Sequence, residues 1–86
     1  MIEYSMIVTA PSGLHTRPCA QLCHFAKNYS GQIEMARGDK SANLKSMFKL
    51  MSMGIKNGME VTIRVEGENE KEIAQSVAEL IRNIRD

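Results

Sequence analysis

The hydrophobic pattern changes period between Val8 and Cys19, and this change limits the chain to folds in which a strand runs directly into a helix. Ile2, Tyr4, Met6 and Val8 alternate with Glu3, Ser5, Ile7 and Thr9, the period-two signature of a strand with one mainly polar face. Ala10-Pro11-Ser12-Gly13 breaks the alternation. From Thr16 to Tyr29, Cys19, Leu22, Cys23 and Ala26 recur at i, i+3, i+4, i+7, one face of a helix. Pro18 fits only near the start of that helix, where its missing N–H costs little, and Ser30-Gly31 closes it.

The remaining segments follow the same logic. Gln32 to Ala36 reads as a short strand, Arg37-Gly38-Asp39 as a hairpin turn, and Lys40 to Asn43 as its partner strand. Met47 to Met53 suits a short helix with Ser46 as N-cap, and Asn57-Gly58 a turn. Val61, Ile63 and Val65 alternate with Thr62, Arg64 and Glu66 in a further strand. Gly67-Glu68-Asn69 opens a last helix striped by Ile73, Val77, Leu80, Ile81 and Ile84. Its first turn holds Glu70 and Glu72 and its last Arg82 and Arg85, as the helix dipole prefers. The order β-α-β-β-α-β-α, with amphipathic helices and a one-sided sheet, predicts a single α+β two-layer domain over residues 1–86, helices on one face.

Composition narrows the class. With 86 residues the chain supports one modest core, and 43% hydrophobic against 24% charged residues suits a globular protein. A net charge of +1 gives no bulk argument for nucleic-acid binding, and no apolar run reaches the length of a membrane span. The start, Met1-Ile2-Glu3-Tyr4, lacks the basic and apolar regions of a signal peptide, and Cys19 and Cys23 form no secreted disulfide framework. A reducing cytoplasm is the expected setting.

The chemistry concentrates at Gly13-Leu14-His15-Thr16-Arg17-Pro18, where the helix should begin. The first N–H groups of a helix lack intrahelical acceptors, point outward and, with the dipole, favour an anion. A histidine there can carry a phosphoryl group whose oxygens meet the amides of Thr16 and Arg17, and the Arg17 guanidinium can add a charged donor fork. A nucleophilic histidine must be neutral, and a helix N-terminus disfavours the imidazolium. Nothing in this chemistry requires a metal or a cofactor.

These residues, together with Lys45-Ser46-Met47-Phe48-Lys49-Leu50 followed by Met53-Gly54-Ile55, resemble HPr, the histidine phosphocarrier family of the bacterial phosphoenolpyruvate-dependent sugar phosphotransferase system. The resemblance spans essentially the whole chain. It implies an open-faced β-sandwich: a four-stranded antiparallel sheet with two long helices and one short helix packed on one face. It also implies that His15 accepts a phosphoryl group at Nδ1 from phosphorylated enzyme I and passes it to the enzyme IIA domain of a sugar permease. Arg17 then stabilises the group, and the chain is a monomeric cytoplasmic transfer intermediate rather than an enzyme with its own turnover. The implied partner interface comprises Leu14, Thr16, Cys19, Ala20, Met47, Phe48, Lys49 and Met51, with Leu50 and Met53 inward. Lys27, Lys45 and Lys49 would meet acidic partners.

Other readings stay open at this point. Spacing alone makes Met47, Leu50 and Met51 a core stripe. His15, Cys19 and Cys23 recur at i, i+4, i+8 and could suggest a zinc or thiol module. Both cysteines lie on the apolar stripe, however, no fourth ligand is evident, and His24 points to another side of the helix. Ser46 is an N-cap on the plainest reading. In many Gram-positive members this serine is phosphorylated by an ATP-dependent kinase, which turns down transfer and recruits a transcriptional regulatory protein, but Met47-Phe48-Lys49 is closer to the enteric proteobacterial type. A nitrogen-related regulatory phosphorelay and a pure interaction module complete the alternatives.

Overall fold

A computed structural model describes residues 1–84 of the chain. The elements are β1 (Ile2–Ile7), α1 (Thr16–Lys27), β2 (Gln32–Arg37), β3 (Lys40–Asn43), α2 (Met47–Ser52), β4 (Glu60–Glu66) and α3 (Glu70–Arg82). The strands form one antiparallel sheet in the order β1-β4-β2-β3, so β1 and β3 are its edges. This is the expected open-faced sandwich. Arg85, expected in the last turn of the final helix, lies outside the described residues.

Strand register separates the two faces. Met6 pairs with Val61 and Tyr4 with Ile63, while Ile33 meets Val65 and Met35 meets both Ile63 and Ala42. These side chains point inward to Leu22 and Ala26 of α1, Leu50 of α2 and Ala74, Val77, Ala78 and Ile81 of α3 in one hydrophobic core. Cys19, Leu22, Cys23 and Ala26 are all buried, as their helical spacing requires. Across the open face Ser5 and Thr62 exchange a 3.0 Å hydroxyl contact. Arg64 spans Glu3 at 3.0 Å and Glu34 at 3.1 Å, a polar ladder over three strands.

The boundaries differ from expectation where side chains intervene. The helix expected through Tyr29 ends at Lys27, capped by Asn28, whose Nδ2 donates to the His24 carbonyl at 3.1 Å. Tyr29 has turned away to donate its hydroxyl to the Glu68 carbonyl at 2.7 Å, which ties the end of α1 to the start of α3. There Asn69 sits in the left-handed region at φ 56° without a side-chain cap bond. Glu70 instead accepts the Gly67 N–H at 3.1 Å and faces the Met1 amino group at 3.3 Å.

That arrangement sets a pH dependence. The Gly67 N–H first, and the amino group second, hold the Glu70 carboxyl below the ordinary carboxylate value. The folded value lies below the unfolded one, so the stabilisation is present above the ordinary carboxylate range and is lost as pH falls through the folded value. Thermal melts between pH 6 and pH 3 should therefore show the advantage of the native chain over Glu70→Gln shrinking with acid. An advantage that does not change with pH would contradict this.

Candidate functional site

The start of α1 is positioned by backbone contacts upstream of it. Gly13 donates to the Ala10 carbonyl at 3.0 Å, and Leu14 donates to the Ile55 carbonyl at 3.0 Å. Gly13 adopts φ +71°, and a Cβ there would lie 2.5 Å from the Ile55 oxygen and 2.8 Å from Lys56 Cα. Only glycine meets both demands. Leu14 is sunk into the core, so the chain re-emerges at His15 with a fixed direction.

His15 is the N-cap, extended at φ −102° and ψ −160°. Its carbonyl accepts the first helical hydrogen bond, from Cys19 N–H at 3.0 Å. Its imidazole makes no capping bond and is exposed. Helix geometry gives the Thr16 and Arg17 N–H groups no intrahelical acceptor, and Pro18 has no N–H to offer. Pro18 is itself fully buried and seals the first turn against the core. Two first-turn amides and an exposed imidazole thus belong to one helix end, with Arg17 exposed in the same turn, an arrangement suited to holding a tetrahedral anion on the ring.

The inner face of α1 joins this end to the next segment. Cys19 Sγ donates to the Leu14 carbonyl at 3.5 Å, and Cys23 Sγ to the Lys45 carbonyl at 3.3 Å. One thiol therefore touches the residue before His15 and the other the residue before Ser46. Burial, reinforced by the neighbouring Cys23, pushes the Cys19 thiol up to about 11, which makes it a poor nucleophile and a poor metal ligand at neutral pH. His15 faces outward while both cysteines face inward, and among the described residues no three His, Cys, Asp or Glu side chains cluster for a metal.

Two expected interface residues need correction. Leu14 is 5% exposed and Cys19 0%, so neither can offer its side chain to a partner. Leu14 anchors the loop and Cys19 fills the core beneath it. Thr16, Ala20 and Lys49 are exposed.

The segment leading into α2 begins at Asn43, which the sequence pattern did not single out. Its Oδ1 accepts the Lys45 N–H at 2.8 Å and its carbonyl the Ser46 N–H at 3.0 Å, an Asx-type turn between β3 and α2. The signal was an Asn three residues before the N-cap Ser46. Ser46 occupies the N-cap position and its carbonyl accepts the Leu50 N–H at 3.0 Å, but its hydroxyl makes no cap bond. Leu50 and Met53 are buried, Met47 is half-buried, Phe48 is 84% exposed and Met51 40% exposed. The core-stripe reading therefore holds for Leu50, holds in part for Met47, which packs half-buried against the core, and fails for Met51. Helix α2 packs beside α1, so this apolar patch, flanked by exposed Lys45 and Lys49, adjoins the His15 helix. Along α1, Cys23 lies eight residues beyond His15, about 12 Å at helical rise.

Comparison with known proteins finds similarity over nearly the whole chain. A family model described as the PTS HPr component phosphorylation site matches residues 2–83. The phosphocarrier protein HPr of Vibrio cholerae is 41% identical over 81 residues, 94% of this chain and 95% of the relative. That of Haemophilus influenzae is 40% identical over the same shares. The crystal structure of HPr-C-His from Thermoanaerobacter tengcongensis superposes with a TM-score of 0.88 at 33% identity, covering 95% of this chain and 92% of that one. Among the described residues no helix is long and apolar enough to cross a membrane.

Two outcomes test the site's scaffold. Gly13→Ala should cost about 1–3 kcal/mol in urea denaturation, from left-handed strain and backbone collision. Gly38→Ala, also at positive φ but with nothing within 4 Å, should cost less than Gly13→Ala, about 1–2 kcal/mol from left-handed strain alone. Equal losses would contradict the anchoring role of Gly13. In the native protein at pH 8, Cys19 should resist alkylation by iodoacetamide and react once unfolded, as read by peptide mass; equal rates in the two states would show the thiol to be accessible.

Proposed function

The chain belongs to the HPr family, a phosphoryl carrier of the phosphotransferase system, and we propose that His15 is the residue through which it works. The observation that carries the assignment is the exposed imidazole at the start of α1, beside the Thr16 and Arg17 amides. A ring nitrogen of His15, Nδ1 on the family pattern, attacks the phosphorus of a donor phosphohistidine. The donor P–N bond breaks as the new one forms, and the donor imidazole leaves. Onward transfer runs the same step with His15 as leaving group.

Transfer between two imidazoles is close to symmetric, so it needs alignment and charge stabilisation more than acid–base work. The two amides and Arg17 would supply donors to the moving phosphoryl oxygens. An open site with few donors suits a carrier, because a group bound too tightly would not be released.

Partners of the phosphotransferase system, enzyme I and enzyme IIA domains, are those the family implies. We assign their docking to Thr16 and Ala20 of α1 and to Met47, Phe48, Lys49 and Met51. The exposed Phe48 ring would be the apolar anchor, and Lys27, Lys45 and Lys49 would steer acidic partners in. This exchange belongs in the cytoplasm, where phosphoenolpyruvate is available to charge enzyme I.

Intact-mass spectrometry after mixing with enzyme I and phosphoenolpyruvate should show one acid-labile phosphoryl adduct, absent in His15→Ala. An adduct retained in His15→Ala would overturn the assignment. Arg17→Ala should slow transfer about tenfold to a hundredfold, the scale of a charge-assisted bond. Phe48→Ala should raise the KM for transfer from enzyme I about tenfold while leaving kcat near its native value. A fall in kcat alone would place Phe48 outside the docking contact.

A further inference from the structure

We propose that Met51 is a reversible oxidation site at which peroxide weakens partner docking; this rests on the docking patch assigned above. The chain has seven methionines, and the fold sorts them. Met6, Met35 and Met53 are buried. Met59 is half-buried, and its sulfur already faces two donors, Arg37 Nε at 3.2 Å and the Lys56 N–H at 3.4 Å. Met1 is exposed but lies by Glu70, at the start of α3. Only Met51 is both exposed on α2 and one turn from the Phe48 ring, with half-buried Met47 one turn before it.

The chemistry is a two-electron oxidation. The thioether sulfur attacks one peroxide oxygen, the O–O bond breaks, an S–O bond forms, and the departing hydroxide takes up a proton as water. Sulfur is oxidised and peroxide reduced. The product is a polar sulfoxide at the edge of an apolar contact, where it must be desolvated for a partner to seat. A sulfoxide reductase reverses the change. Cys19 does not compete for the oxidant, because it is fully buried with its thiol held protonated.

The test treats the carrier with hydrogen peroxide, removes the oxidant with catalase, and maps sulfoxides by peptide mass before adding enzyme I and phosphoenolpyruvate. Met51 should oxidise well before Met6, Met35, Met53 and Met59, and the KM for enzyme I should rise about tenfold and return after methionine sulfoxide reductase treatment. In Met51→Leu the ratio of KM after and before peroxide should stay near one, whatever the starting value. Oxidation of Met51 no faster than the buried methionines overturns the proposal. So does an unchanged KM in Met51-oxidised protein when Phe48→Ala still raises KM. If Phe48→Ala also leaves KM unchanged, the docking reading itself falls and the proposal with it.

Discussion

The hydrogen bond from the Leu14 N–H to the Ile55 carbonyl decides where the first helix begins. It holds the end of the Ala10–Gly13 turn against the segment leading toward β4, and it is possible because Gly13 has no Cβ to strike that carbonyl. Gly13 and Leu14 are buried, so His15 is where the chain returns to solvent. Everything at the site follows from that placement. The imidazole stands at the positive end of α1, two first-turn amides lie beside it, and the buried Pro18 closes the turn beneath.

The same helix connects His15 to the exposed patch on α2. Its inward face is ordinary core, yet two of its residues are thiols that bond the carbonyls of Leu14 and Lys45. Each bond is weak, but the two lie one turn apart on one rigid helix. The residue before His15 and the residue before Ser46 are thereby referred to a single element. On the outer side α2 spends its short length on two tasks. Leu50 binds it to the core, and Phe48 and Met51 are left to water. Exposing a phenyl ring at 84% has a cost in water that a partner contact would recover. A carrier that must meet more than one protein gains from methionine beside that ring, because its side chain adapts to different surfaces.

Much of this was legible in the sequence because the periods are clean. The shift from alternation at Ile2–Val8 to helical spacing at Cys19–Ala26 located the strand, the turn and the helix, and with them His15. Phe48 could be read as off the apolar stripe from spacing alone. Leu14 could not be placed that way. It precedes the helix and follows the strand, so neither period governs it, and its burial comes from a turn held by a distant carbonyl. Cys19 shows two indications in competition: its spacing pointed inward and the family resemblance placed it at the partner interface, and packing favoured the first. The Asn43 turn depends on a side-chain oxygen reaching a backbone N–H two residues on, a contact that hydrophobic patterning does not register. Tyr29 ended α1 early for a similar reason, its hydroxyl being drawn to Glu68 in a segment far along the chain.

The central claim is that the phosphoryl group rests on His15 within reach of the Thr16 and Arg17 amides. The most direct measurement is a 1H–15N correlation spectrum of the protein before and after phosphorylation by enzyme I and phosphoenolpyruvate. The account predicts downfield shifts and slowed exchange at those two amides, larger than at any other helix start. Phosphorylated protein in which both amides keep their positions and exchange rates would contradict it.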